Sequence, residues 1–113
     1  MHGHMHNAAY YAHAEAAVAG LWRHRPVGQN DPVYFVRKSG CTFHKGLRLD
    51  DMARFKVSVT RIGATSVSFA VAIASDGAAV ADLEIVWVAV DPATRQPVNV
   101  PQPIRDWLKS FLA

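Results

Sequence analysis

Residues 3–22 read GHMHNAAYYAHAEAAVAGLW, and the reading of that stretch decides the fold. From Asn7 to Trp22 there is no proline, the one glycine (Gly20) lies near the end, and alanine, the strongest helix former, dominates. Asn7 suits a helix N-cap and Arg23 suits the C-terminal end of the dipole. Ala8, Tyr11, Ala12, Glu15, Val18 and Trp22 line one side, while Tyr10, Ala14, Ala17 and Leu21 line another. A helix apolar over most of its circumference is predicted to be buried.

Working outward, HRPVGQNDP (24–32) reads as a loop on its Pro, Gly, Asn and Asp content. From Val33 the apolar period changes to two. VYFVRK opens a strand that runs on through CTFHKG, with a bulge expected at Gly40. ARFKVSVTRI (53–62) alternates, with Phe55, Val57 and Val59 on one face and Arg54, Lys56, Ser58 and Thr60 on the other. TSVSFAVAIAS (65–75) sets Val67, Phe69, Val71 and Ile73 inward and turns Ser66, Ser68 and the alanines outward. A turn at Gly63–Ala64 joins those two strands, and Asp76–Gly77 is a type I′ hairpin signal for the next pair. AVADLEIVWVAVD (79–91) then begins with polar Asp82 and Glu84 and becomes wholly apolar. DPATRQPVNVP (91–101) is a loop. Pro103 suits the first position of a last helix, on which Ile104, Trp107, Leu108, Phe111 and Leu112 fall at helical spacing. The expected order is one buried helix, antiparallel strands, then a short amphipathic helix: an α+β domain over residues 1–113.

At 113 residues the chain supports one hydrophobic core. No apolar run approaches the roughly 20 residues that span a bilayer, and the start carries neither a Lys/Arg leader nor an apolar signal core. With Cys41 as its one cysteine, the chain is expected in a reducing cytoplasm. Cys41 itself reads as a small buried hydrophobe rather than a nucleophile. Net charge is +3, with basic residues gathered at Arg37, Lys38, Lys45, Arg48, Arg54, Lys56 and Arg61 against only Asp50 and Asp51. Those residues form either a solvated strand face or a surface that attracts an anionic ligand such as a phosphate-bearing cofactor tail. Nucleic acid is not expected, for want of aromatic interleaving or a zinc-finger spacing. Nor is a metal, because His2, His4 and His6 have no further Cys/His spacing to complete a ligand set.

The order of these pieces resembles the hotdog fold, a long antiparallel sheet wrapped around a central helix. GHMHNAAYYAHAEAA resembles the helix entry of the 4-hydroxybenzoyl-CoA thioesterase-like branch of hotdog acyl-CoA thioesterases, Asp-x-x-Gly-His-x-x-Asn-x-x-Tyr with an acidic residue one turn on. Gly3, His4, Asn7, Tyr10 and Glu15 fall on those places. CTFHKGLRLDD, RIGATS and VDPATRQPVNVPQPIRDWL resemble the family's later strand and turn, its Ser-bearing hairpin and its tail.

The resemblance implies hydrolysis of acyl-CoA or acyl-carrier-protein thioesters by a homodimer or dimer-of-dimers tetramer, with sites between subunits and no cofactor. It implies that N–H groups at the helix start, at or beside Asn7 with His6 and Ala8 as neighbours, polarise the thioester carbonyl. Asn7 and His4 would orient substrate, and Lys45, Arg61 and Ser66 would meet the phosphates. The family's aspartate, counted back from Gly3, falls one residue before Met1, and the strand that precedes it has no counterpart. Two readings stay open: a sequence that starts at an internal methionine of a longer active protein, or a catalytically impaired acyl-thioester-binding or structural oligomeric module. Glu15 is either a structural carboxylate held by a neighbouring strand or the in-chain substitute base. Asp50 and Asp51 read as turn residues, and Tyr10, Tyr11, Trp22 and Trp87 as core or subunit interface.

Overall fold

A computed structural model describes residues 7–28, 31–44 and 52–112. The elements are α1 (Asn7–Trp22), β1 (Val33–Phe43), β2 (Arg54–Ile62), β3 (Ser66–Ser75), β4 (Ala78–Val90) and α2 (Gln102–Lys109). The strands form one antiparallel sheet in the order β1-β4-β3-β2, with β1 and β2 at its edges. α1 lies on one face, against β2, β3 and β4. This is the hotdog arrangement. Among the described residues no helix is long and apolar enough to cross a membrane.

The period-two pattern sets the inner face. Val59, Val67, Phe69, Val71, Ile73, Leu83 and Ile85 are buried there. Over them lie Tyr10, Ala14, Val18 and Trp22 of α1, and Ile104 and Leu108 of α2 complete the core. The buried stripe of α1 therefore combines Tyr10 and Ala14 from one expected side with Val18 and Trp22 from the other. Its step is four residues, the inclination of an i±4 ridge, so the helix meets the sheet along a slanted row instead of a stripe parallel to its axis. Ala12, His13, Ala16 and Ala19 are left exposed. Trp22 anchors the far end, with ring centroids 4.7 Å from Tyr34, 5.3 Å from Trp87, 5.9 Å from Trp107 and 6.3 Å from Phe69, all edge-to-face.

The bulge expected at Gly40 is displaced: Gly40 sits in register opposite Glu84, and the extra residue is Arg37, between Val36 and Lys38. A second bulge, at Thr60, breaks the alternation expected through Ile62. The physical reason is the same in both strands. Strict alternation would turn Lys38 and Arg61 onto the apolar inner face; one inserted residue returns each to the outer face, where Lys38 pairs with Val86 and Arg61 with Ser68.

The Asp76–Gly77 hairpin holds as expected, with φ of 53° and 77°. The Gly63 turn is closed by its N–H donating to the Ser66 carbonyl at 2.8 Å, and a Cβ on Gly63 would stand 2.7 Å from Ser66 Oγ. α2 starts at Gln102, one residue before Pro103, and ends at Lys109. Phe111 and Leu112 lie beyond it and turn to the β2 edge instead of continuing the helix, and the Val59 N–H donates to the Phe111 carbonyl at 2.9 Å. β1 is a different kind of edge. It is 11 residues long and carries Val33, Phe35, Val36 and Phe43 as exposed large apolar side chains.

Candidate functional site

α1 opens at Asn7 with no acidic residue in its first turn, so its free N–H groups and positive dipole end carry no counter-charge from their own helix. This end of the helix lies over the far end of β1, where the Tyr10 ring meets Phe43 at 5.0 Å, edge-to-face. The side chains of Asn7 and Ala8, and all of His4, His6, Lys45, Asp50 and Asp51, lie outside the described residues.

Glu15 sits halfway along α1 and is partly buried. Burial pushes its carboxyl pKa up, and the indole N–H of Trp87, on the inner face of β4, pulls it part of the way back. The two groups do not reach hydrogen-bond geometry, and Trp87 Nε1 is buried without a partner. Trp87 therefore does not supply the strand hydrogen bond that a structural role for Glu15 would call for. The Tyr34 hydroxyl, beside Trp87, is likewise buried without a partner, and its pKa is pushed up to about 12 by burial, by Asp31 and, in the opposite sense, by Arg25.

Arg61 and Ser66 are brought together. They line a shallow depression of about 380 Å³ on the outer face of the sheet with Arg37, Lys38, Ser68, Glu84 and Val86. Across the sheet Arg61, Ser68, Val86 and Lys38 form one row, and each edge strand has its bulge next to that row. The one acidic group in the depression, Glu84, lies 3.6 Å from Lys38 Nζ, which leaves Arg37 and Arg61 without a paired carboxylate in it. The sequence gathers Arg37, Lys38 and Arg61 in one basic set but does not show that they share a face with Ser66; that signal is the bulge, which a two-residue period hides.

Three expected site features do not meet within one chain. Asn7 and Glu15 are eight residues apart on α1, about 12 Å at 1.5 Å per residue. The row of Arg61 and Lys38 lies five residues of β1 from Phe43, about 17 Å at 3.3 Å per residue, and on the opposite face of the sheet from α1. Cys41 is half-buried against the core, and its thiol pKa is raised by burial and by Asp82, the wrong direction for a nucleophile. Among the described residues no three His, Cys, Asp or Glu side chains gather as metal ligands.

A family model described as the thioesterase superfamily (4HBT) matches residues 2–81. Among solved structures, the PA5185 protein from Pseudomonas aeruginosa is 25% identical, with TM-score 0.87 over 100% of this chain and 82% of that one. A thioesterase from Thermus thermophilus, complexed with coenzyme A and zinc, is 18% identical with TM-score 0.84, covering 96% of this chain and 81% of its own. The hypothetical protein SAV2348 from Staphylococcus aureus, in complex with CoA, is 14% identical with TM-score 0.89, covering 98% and 74%. No curated protein matches the chain by sequence.

Proposed function

The chain belongs to the thioesterase superfamily, and from that premise we propose that it hydrolyses acyl thioesters of coenzyme A or acyl-carrier protein at a site built by two copies of the chain. The observation that carries the two-copy reading is the separation along α1. A thioester carbonyl within hydrogen-bond reach of the helix start is too far from Glu15 of the same helix for one water to bridge them. A second α1, approaching in the opposite sense, supplies the missing group. The second copy is expected along β1, the long edge that exposes Phe35 and Val36.

In this reading the first-turn N–H groups of one α1, near Asn7 and Ala8, donate to the carbonyl oxygen as it becomes an oxyanion. Glu15 of the other copy takes a proton from water as the oxygen attacks the carbonyl carbon. The C–S bond then breaks, the electron pair leaves on sulfur, and the proton passes to the thiolate to give acid and free thiol. A carboxylate raised by burial is a stronger base at neutral pH than an ordinary one. The depression at Arg61 and Ser66 supplies cationic and hydroxyl contacts for the phosphates, a use consistent with the CoA complexes of the two similar structures.

The test is thiol release from a panel of acyl-CoAs, with the Glu15→Gln variant beside the parent. Loss of a general base is expected to lower kcat by about 10²–10⁴-fold. Acyl-CoA binding without thiol release by the parent protein would overturn the enzyme reading and leave a thioester-binding module.

A further inference from the structure

We propose that the segment after α2, Phe111 and Leu112, is a strap that closes the β2 edge to strand pairing, so that further copies of the chain cannot add to the sheet from that side. That leaves β1 as the open edge, and it holds whether or not the chain is a hydrolase.

The sheet ends in two different strands, β1 and β2. Two unlike open edges are a hazard, because β1 of one copy can pair with β2 of the next in a head-to-tail contact that runs on as a filament. β2 has the composition for it. Phe55, Val57 and Val59 alternate with polar residues, and the strand contains neither proline nor glycine.

The backbone shows where this edge faces outward. Val59 turns its N–H away from β3, since that N–H donates to the Phe111 carbonyl at 2.9 Å. Along an antiparallel strand alternate residues face the same way, so Phe55 and Val57 also direct their backbone groups out of the sheet. Side-chain burial follows the strap. Val59 is 0% exposed although it lies on an edge strand, while Phe55 and Val57, farther along that edge, are only half-buried.

The strap is anchored before it reaches β2. Buried Ile104 and Leu108 seat α2, and the Arg105 guanidinium donates to the Gly63 carbonyl at 2.6 Å, in the turn that follows β2. Past the helix, the Phe111 N–H donates to the Leu108 carbonyl at 2.9 Å, and the Phe111 ring meets Trp107 edge-on at 5.2 Å. Leu112 then forms a parallel bridge with Val59. With the bulge at Thr60, this covers the Gly63 half of the edge. The other half carries charge instead. Arg54 and Lys56 turn to the outer face, where β1 presents Arg37 and Lys38, so a contact between β1 and β2 brings like charges onto one face.

The test reads the bond and its consequence in the full chain. By amide hydrogen exchange, Val59 is expected to exchange about tenfold more slowly than Val57. Phe111→Pro removes the ring and the N–H, and it drives Ser110 out of its helical conformation (φ −68°, ψ −15°), which redirects the strap. In that variant the two amides are expected to exchange within about threefold of each other. Sedimentation velocity is expected to show species heavier than the parent's own assembly, growing with protein concentration. Adding Val57→Pro is expected to restore the parent's assembly, because it removes an outward N–H that pairing with β3 does not use. A Val59 amide as fast as Val57 in the parent overturns the proposal, whether or not either variant folds. So does a Val59 amide that stays slow in folded Phe111→Pro, since the strap is then not what holds it. A released Val59 with the assembly unchanged also overturns it, as do heavier species that persist in the double variant, which associate through another surface.

Discussion

Replacing Phe35 by alanine tests the assembly on which the two-copy site depends. Phe35 is 52% exposed on an edge strand, so roughly half of its side chain is already covered and half remains to be buried. Burying a whole phenylalanine side chain is worth about 1.5–3 kcal/mol, and the remaining half therefore about 1 kcal/mol. In a two-fold interface the same residue counts once from each copy, which makes about 2 kcal/mol per dimer. At 1.4 kcal/mol per tenfold, Phe35→Ala is expected to raise the dimer dissociation constant about 30-fold. Sedimentation equilibrium over a concentration series reads this directly. Met52→Ala is the control: Met52 is 83% exposed but lies off the β1 edge, and its removal should leave association unchanged. If Phe35→Ala dimerises within about threefold of the parent, β1 is not the interface and the pairing argument fails.

Glu15→Gln should separate stability from activity. Because burial raises the folded-state pKa, the native state holds a proton more readily than the unfolded chain, so stability falls as pH rises between the unfolded and folded pKa values. The penalty is complete above the folded pKa and absent below the unfolded one, so Glu15→Gln is expected to melt no lower than the parent at pH 8, the gap closing as pH drops through the ordinary carboxylate range. Arg61→Ala should raise KM for acyl-CoA about fivefold, the worth of about 1 kcal/mol at an exposed charged contact, with kcat unchanged. Adding salt should shrink that difference, and a thioester without the nucleotide should not register the change at all. Phe69→Ala, at a fully buried ring between Trp22 and Trp87, should cost about 3–5 kcal/mol and lower the thermal midpoint by more than about 10 °C.

Element order, strand faces and the Asp76–Gly77 turn are legible in the sequence because each rests on a local periodicity or a backbone requirement. The bulges are not. Arg37 and Thr60 are single inserted residues whose position depends on what the neighbouring strand presents, and the glycine at position 40 is a more conspicuous local signal than either. The same limit applies to the slanted stripe on α1, since an alanine-rich helix has no strong polar face to fix its rotation, and the sheet chooses it. At the site, Arg61 and Ser66 lie five residues apart across one turn, so the hairpin reveals them together. Arg37 and Lys38 join them only through the order of the strands. Trp87 looks like core in the sequence and packs against the core in the structure.

Most buried polar groups in this fold follow the rules, and the breaks fall in one zone. Tyr34 Oη and Trp87 Nε1 are the buried side-chain atoms without partners among the described residues, and burial raises the pKa of Glu15 on the helix over the same face of the sheet. Tyr34 lies on β1, and Trp87 is in register with Val36 of that strand, which exposes 51% of its surface. An unpaired buried polar atom and exposed apolar surface thus occur on the same face of one strand. A selected sequence tends to depart from local consistency where function requires it. If the reading of both departures is right, assembly and chemistry share this strand, and turnover per chain should follow the dimer fraction on dilution. A specific activity that stays constant through the dissociation range would mean that one chain alone holds the site, and the 12 Å between Asn7 and Glu15 would then exclude Glu15 as its base.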